Sequence, residues 1–261
     1  MVLGDLYQSD GSPLPMCPRG TLKRAVTAWD EHGLTSKIGI EREAYAFAHN
    51  ADGQIVPYDN PGGVVYGTGN FTDPRWFTYA IWNKAREIGL PLDLITAEYG
   101  PPQFEFTMTF DTAVEHVDSV GLFRQMAREV ALEHGILLPF LPKPIPGKGG
   151  SGLHVNLSFT DRKEHNALAN GDRGDPDNLS DLAKCCIAGW MRHHKGISGL
   201  VAPNPLSYAR LQPASLSGIW CSWGGDNRNV TVRLSAEGGK KARCWMLPMP
   251  SARQPRGCPA S

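Results

Sequence analysis

The stretch 143–160, KPIPGKGGSGLHVNLSFT, places the tightest limit on what this chain can fold into. Its first half carries Gly147, Gly149, Gly150 and Gly152, which permit tight turns and let backbone N–H groups approach an anion or a small substrate. Its second half alternates. Leu153, Val155, Leu157 and Phe159 fall on one face of a strand, and His154, Asn156, Ser158 and Thr160 on the other. One apolar face and one face of histidine, asparagine and serine suit the floor of a polar cavity. Taken alone, the pattern also suits an ordinary surface strand after a flexible loop.

A second alternating run, 36–47, puts Gly39, Glu41, Glu43, Tyr45 and Phe47 on one side, so that two carboxylates point the same way from one strand. Like charges at that spacing repel unless solvent screens them or a cation sits between them, which leaves a solvated face and a metal site as the alternatives. Two more strands, 92–99 and 103–110, are joined by Gly100-Pro101-Pro102. In the second, Phe104, Phe106, Met108 and Phe110 face a core, and Gln103, Glu105, Thr107 and Thr109 face away from it. Glu98 and Glu105 then flank one turn.

Glu41, Glu43, Glu98, Glu105 and His154 thus lie on polar strand faces. Four carboxylates and an imidazole, without a thiolate, suit hard divalent cations such as Mg²⁺ or Mn²⁺ better than structural zinc. The last part of the chain supplies Arg210, Arg228, Arg233, Lys240 and Arg243. Carboxylate-held metals on one side and arginines on the other are what phosphoryl transfer requires, because charge spreads over the transferred oxygens. No GxxxxGK[ST] loop and no kinase signature occurs, so a nucleotide would have to be held in another way.

Helices complete an α+β class, a curved and mainly antiparallel sheet flanked by helices. Leu22, Val26 and Trp29 give 19–32 one buried face before Gly33, Asp73-Pro74 opens a helix to about Gly89, and Asp111 caps one running to about His134. Residues 136–143 return as a strand. Ser180 begins a helix with Leu182, Ile187 and Trp190 in its stripe, whose adjacent His193 and His194 are expected at the surface. Residues 219–234 read as strand–turn–strand, and 2–7 as an initial strand.

Composition removes several function classes. Lys+Arg and Asp+Glu balance at 26 each in 261 residues, which argues against a nucleic-acid or membrane surface as partner. The six cysteines contain no CxxC pair and read as reduced thiols, which points to the cytoplasm. No apolar run approaches the roughly 18 residues that span a membrane.

The motifs IEREAYAF, AEYGPPQFEF, LPKPIPGKGGSGLHVNLS, SYARL and SWGGDNRNVTVRL together resemble the glutamine synthetase family, from about Ser36 to Arg243. The wording around AEYGPPQFE and WGGDNR is closer to the γ-glutamyl-polyamine and related amine-ligating branch. The resemblance implies two metal ions and ATP-dependent ligation of glutamate to ammonia or an amine through a γ-glutamyl phosphate. It implies Glu43, Glu98 and Glu105 as ligands of the metal nearer glutamate, and Glu41 and His154 as ligands of the one nearer the ATP phosphates. Gly150 and Arg210 correspond to glutamate contacts, with Glu98 beside them. Arg228 and Arg233 correspond to phosphate-binding arginines, Arg228 and Arg210 being the implied catalytic pair, and Lys240 and Arg243 to nucleotide-side positions. A homo-oligomer is implied as well.

The departures are equally specific. Pro102 stands where a glycine is usual, which stiffens the turn and removes one N–H donor. Leu216 falls near the place of a flap glutamate in ammonia-using members, which argues against plain glutamine synthesis. Residues 1–18 resemble the end of an N-terminal β-grasp domain and its linker, 19–243 a partial catalytic domain, and 244–261 an atypical tail without a further glutamate for the ATP-side metal. That metal site is therefore expected to be incomplete. A truncated, non-catalytic relative that keeps a partial nucleotide or metal pocket, or acts by assembly, is the other reading.

Overall fold

The computed structural model describes residues 2–60, 64–172, 178–212, 217, 220–225, 229–235 and 243–246, with the backbone alone at 235 and 243–246. Helix α1 spans Pro18–Glu31 and strand β1 spans Thr35–Tyr45. Two short strands follow, β2 (Phe47–His49) and β3 (Ile55–Pro57), then helix α2 (Phe77–Glu87). Strands β4 (Leu92–Ala97), β5 (Gln103–Met108) and β6 (Asp111–Thr112) lead into helix α3 (Ala113–Glu133) and β7 (Ile136–Leu137). After β8 (Leu153–Thr160) come α4 (Asp181–Val201), α5 (Pro205–Arg210), β9 (Trp220–Gly225), β10 (Val230–Ser235) and β11 (Arg243–Met246).

One sheet organises these elements, in the order β4-β5-β1-β8-β11-β10-β9, with β6 also pairing to β1. β1 lies antiparallel to both β5 and β8. Alternation then decides which side chains meet. Ile40 and Ala44 of β1 and Phe104, Phe106 and Met108 of β5 are buried behind the sheet against Phe77 and Ile81 of α2 and Phe123 and Ala127 of α3. Aromatic edges interlock there, with ring centroids 5.1 Å apart for Phe77–Phe104 and 5.4 Å for Phe106–Phe123. A second cluster packs Phe159 against Ala183 and Ile187 of α4 and Val232 of β10, and Trp29 of α1 joins it with its ring 4.5 Å from that of Phe159.

Several local expectations need correction. Residues 2–6 form no strand; Asp5 instead pairs with Arg19 at 2.7 Å and Lys23 at 2.5 Å, and Arg19 pairs in turn with Asp118 at 2.7 Å. Ion pairs rather than a ladder thus hold this segment. Asp111 sits in β6 and the α3 cap is Thr112, while the α2 helix begins only at Phe77 because Asp73 binds the Thr78 amide at 2.7 Å and hydroxyl at 2.6 Å. The return strand is only Ile136–Leu137. His194 is buried, at 2% exposure, because its spacing from Ala183 and Ile187 puts it on the packed stripe of α4. β9 and β10 pair in parallel rather than as a hairpin, and residues 226–228 between them lie outside those described.

His116 ties helix α3 to strand β1. Fully buried, its Nε2 accepts the Ile40 amide at 2.8 Å and its Nδ1–H donates to the Thr109 carbonyl at 3.1 Å, which fixes a neutral tautomer. Burial holds its pKa below the usual histidine value, partly opposed by the Thr109 carbonyl. The unfolded chain therefore takes up a proton at His116 that the fold refuses, and stability falls as pH drops through about 6.5. His116→Phe should cost roughly 2–4 kcal/mol, since it strands two backbone groups in the core, and should lose this part of the acid dependence. Urea unfolding at pH 7.5 and 5.5 checks both; an unchanged pH dependence in the variant would refute the assignment.

Candidate active site

The polar face of the sheet is built by register. Opposite Glu43 on β1 stands Glu105 on β5, and opposite Glu41 stands His154 on β8. Glu98 arrives from the turn after β4, where its amide donates to the Gln103 carbonyl at 2.8 Å. Ligand oxygens of Glu43, Glu98 and Glu105 come within 4.8 Å of one another. That is close to the span of about 4 Å between oxygens on opposite sides of a small divalent cation.

Each carboxylate is held. Glu43 Oε2 accepts from the Gly152 amide and from Gln103 Nε2, both at 2.8 Å. Glu41 Oε1 accepts from Asn156 Nδ2 at 3.2 Å, and its Oε2 lies 3.1 Å from His154 Nδ1. The other imidazole nitrogen lies 3.8 Å from Glu43 Oε1, so His154 stands between two carboxylates. Glu105 accepts from the Thr107 hydroxyl at 3.3 Å.

The electrostatic state follows. Burial first, then the hydrogen bond that protonated Glu105 donates to Glu98 and the charges of Glu41, Glu98 and Glu43, push the Glu105 pKa up to about 9. Burial also raises Glu43, against the pull of His154, the Gly152 amide and Arg210. Tyr45 is pushed up to about 12 by burial and by the Glu43 and Glu98 charges, and its hydroxyl donates to the Gly149 carbonyl at 3.1 Å. Closely set carboxylates that cannot all ionise alone form a donor set that fits a hard divalent cation.

Two glycines of the 143–160 stretch matter for approach. A Cβ on Gly152 would meet Glu43 Oε1 and His154 Nε2, each at 2.8 Å. One on Gly150 would strike the Arg210 stem and lie 2.7 Å from the Pro142 carbonyl. Arg210, at the end of α5, is buried; burial lowers its pKa and the Glu43 charge opposes this.

Glu43, Glu98, Glu105, Glu41 and His154 are therefore brought together, with Gly150 and Arg210 against them. Arg233 lies on β10, and Arg243 begins β11, which pairs with β8 and β10. Arg228, Lys240 and Leu216 lie outside the described residues. Sequence reasoning missed Gln103, Gly152 and Tyr45 as supports, although Gln103 shares its strand face with Glu105 and Tyr45 with Glu43. Beside the cluster, a cavity of about 680 Å³ runs along the same face past Lys37, Gly39, Glu41, Thr107, Asn156 and Ser158.

Fold and cluster define an α+β domain arranged around an acidic, metal-type centre. A model of the glutamine synthetase catalytic domain matches residues 15–252, and the chain belongs to the glutamine synthetase family. The glutamine synthetase of Thermococcus kodakarensis is 32% identical over 263 aligned residues, which cover 96% of this chain and 55% of that one. The crystal structure of a novel glutamine synthase homolog superposes with a TM-score of 0.79 at 27% identity, covering 94% of this chain and 57% of the other. The Plasmodium falciparum glutamine synthetase, at a TM-score of 0.82 and 18% identity over 94% and 53% of the two chains, shares the fold. The chain thus spans about half the length of the curated relatives it matches, 55% for the first two. Among the described residues no helix is long and apolar enough to cross a membrane.

The raised Glu105 pKa sets a sign. Between the ordinary carboxylate value and about 9 the fold holds a proton that the unfolded chain has lost, so this group's contribution to stability falls as pH rises through that window. A divalent cation reverses that loss. Manganese at about 100 times its Kd should stabilise by about 2.7 kcal/mol, roughly 5–10 °C in melting temperature at pH 8. Glu105→Gln should melt higher than the parent in EDTA and gain little from manganese. Equal manganese shifts in both proteins, measured by scanning fluorimetry, would remove Glu105 from the ligand set.

Proposed function

We propose that this chain carries the metal centre of an ATP-dependent carboxylate–amine ligase, which joins the γ-carboxylate of glutamate to ammonia or an amine through a γ-glutamyl phosphate. The observation that carries the reading is the cluster of Glu43, Glu98 and Glu105 within 4.8 Å, inside a region matched by the glutamine synthetase catalytic domain. These three would hold one Mg²⁺ or Mn²⁺, and Glu41 with His154 a second, with a ligand from elsewhere needed to complete it. Bound there, such cations offset charge on the phosphoryl oxygens.

The protein groups supply the rest. Arg210 would pair with the glutamate substrate, its stem passing where Gly150 has no side chain. Arg228 and Arg233 would face the transferred phosphoryl group, and Lys240 and Arg243 the nucleotide, for which the 680 Å³ cavity beside Glu41 offers the space. Gln103 and the Gly152 amide keep Glu43 from rotating, which preserves the arrangement between turnovers. The acceptor belongs to the amine-ligating branch by the AEYGPPQFE and WGGDNR wording, the enzyme works in the cytoplasm, and the working form is a homo-oligomer.

A second reading is a non-catalytic relative that retains metal or nucleotide binding or an assembly role. It is favoured by one feature: among the described residues, the one group of three or more Glu, Asp, His or Cys side chains close enough to share an ion is Glu43, Glu98 and Glu105, and the Glu41–His154 pair is not part of it.

Phosphate release with ATP, Mg²⁺ and L-glutamate, run with ammonia, putrescine or ethanolamine, separates the two. Amine-dependent release that Glu105→Ala lowers at least 100-fold, together with the γ-glutamyl product by mass spectrometry, is the expected result. Metal-dependent stabilisation without any release from the folded protein would select the second reading.

A further inference from the structure

Between β7 and β8 the chain presents an amide that meets no acceptor among the described residues, that of Gly150. Its neighbours are committed: the Ser151 amide donates to the Pro142 carbonyl and the Gly152 amide to Glu43 Oε2, both at 2.8 Å. The Gly150 N–H belongs to a peptide unit between two glycines. Such a unit flips at little steric cost, so its direction has to be set from outside.

Two side chains of the sheet set it. The Tyr45 hydroxyl donates to the Gly149 carbonyl at 3.1 Å, and Gln103 Nε2 donates to the Gly150 carbonyl at 3.0 Å. The bond between Gly149 and Gly150 is trans, so its carbonyl and N–H point in opposite directions; with the carbonyl on Tyr45, the Gly150 N–H faces away from that hydroxyl. Neither side chain has room to turn aside. Both are buried, and a Cβ on Gly100 would overlap the Tyr45 hydroxyl and come within 3.3 Å of Gln103 Oε1, so the turn after β4 packs on both. Their reach differs. The second N–H of the Gln103 amide goes to Glu43 Oε2 at 2.8 Å, whereas the Tyr45 hydroxyl bonds only the loop among the described residues.

The stem of Arg210 passes where Gly150 has no side chain, so an oriented N–H and an arginine adjoin. Backbone N–H groups and arginines are the donors that a carboxylate takes. We infer that Tyr45 and Gln103 are positioning residues: they hold the loop so that the Gly150 N–H donates to a carboxylate of the amino-acid substrate, next to Arg210. The inference rests on the ligase reading for the identity of that substrate and adds the device that orients the loop toward it.

Calorimetry on the whole chain tests it, with L-glutamate titrated in the presence of manganese and β,γ-methylene-ATP, and manganese titrated alone. Tyr45→Phe should weaken glutamate about tenfold, as expected for one misdirected bond to a charged group, and leave the affinity for manganese within about twofold of the parent. Because Gly149 is exposed, water takes over its carbonyl in that variant, and the melting temperature should hold. Gln103→Met, which also frees Glu43, should weaken glutamate and manganese together, by about tenfold or more. Should it fail to melt cooperatively, Tyr45→Phe decides alone. Glutamate bound equally by the parent and Tyr45→Phe overturns the inference and leaves the ligase reading standing. So does a loss of manganese affinity in Tyr45→Phe as large as that of glutamate, which would make Tyr45 a general support of the site. A parent that binds no glutamate overturns both.

Discussion

The register of β1 against its two neighbours is the constraint from which the site follows. Antiparallel pairing sets Glu43 opposite Glu105, at a cross-strand separation where like charges repel, and Glu41 opposite His154. A slip of one residue would relieve that repulsion but would turn Phe104 and Phe106 out of the core and put carboxylates into it. Each of those aromatics contributes roughly 1.5–3 kcal/mol by burial, and α2 and α3 are seated on them. Packing behind the sheet therefore enforces the charge cluster in front of it. Packing thus outweighs the repulsion in the site, and the crowded carboxylates are the basis of the proposed cation binding.

This division explains what could be read from the chain. Period-two alternation marked the faces of β1, β5 and β8, and so placed Glu41, Glu43, Glu105 and His154 on polar surfaces before any pairing was known. Glu98 was legible only through the turn. Supports such as Gly152, whose amide reaches Glu43 across 109 positions, depend on tertiary closure that no local pattern encodes. The errors have the same origin. Residues 2–7 alternate well enough for a strand, yet Asp5 finds two cations before any strand edge; His194 looks like half of an exposed pair, yet helical spacing turns it inward.

The glycines show a finer distinction. In the 143–160 stretch only Gly147 adopts a positive φ, at 77°, as a turn-former. Gly150 and Gly152 have ordinary backbone angles, and what forbids a side chain there is the Arg210 stem on one side and the Glu43 and His154 heads on the other. A loop that looks flexible in sequence is, at these two positions, a close-packed wall of the site. It brings Arg210 in from a helix 60 residues away, counted from Gly150, and into the field of Glu43.

That arrival does not balance the charge. Four carboxylates converge, and the described groups that answer them are His154 and Arg210. Lys37 lies on the same face of β1 but four residues from Glu41, about 13 Å along an extended strand. Arg233 is on β10, separated from β1 by β8 and β11, about 14 Å away at ordinary strand spacing. Both distances are several times the 3.1 Å between His154 and Glu41, so the attraction of these two cations is correspondingly weaker. Among the described residues His154 and Arg210 leave charge unanswered; protons, which Glu105 takes up, offset part of it, and a multivalent cation would displace them. On the proposed function, the site would pass between a protonated and a metal-bound form, and its affinity for divalent cations would rise with pH until Glu105 is ionised.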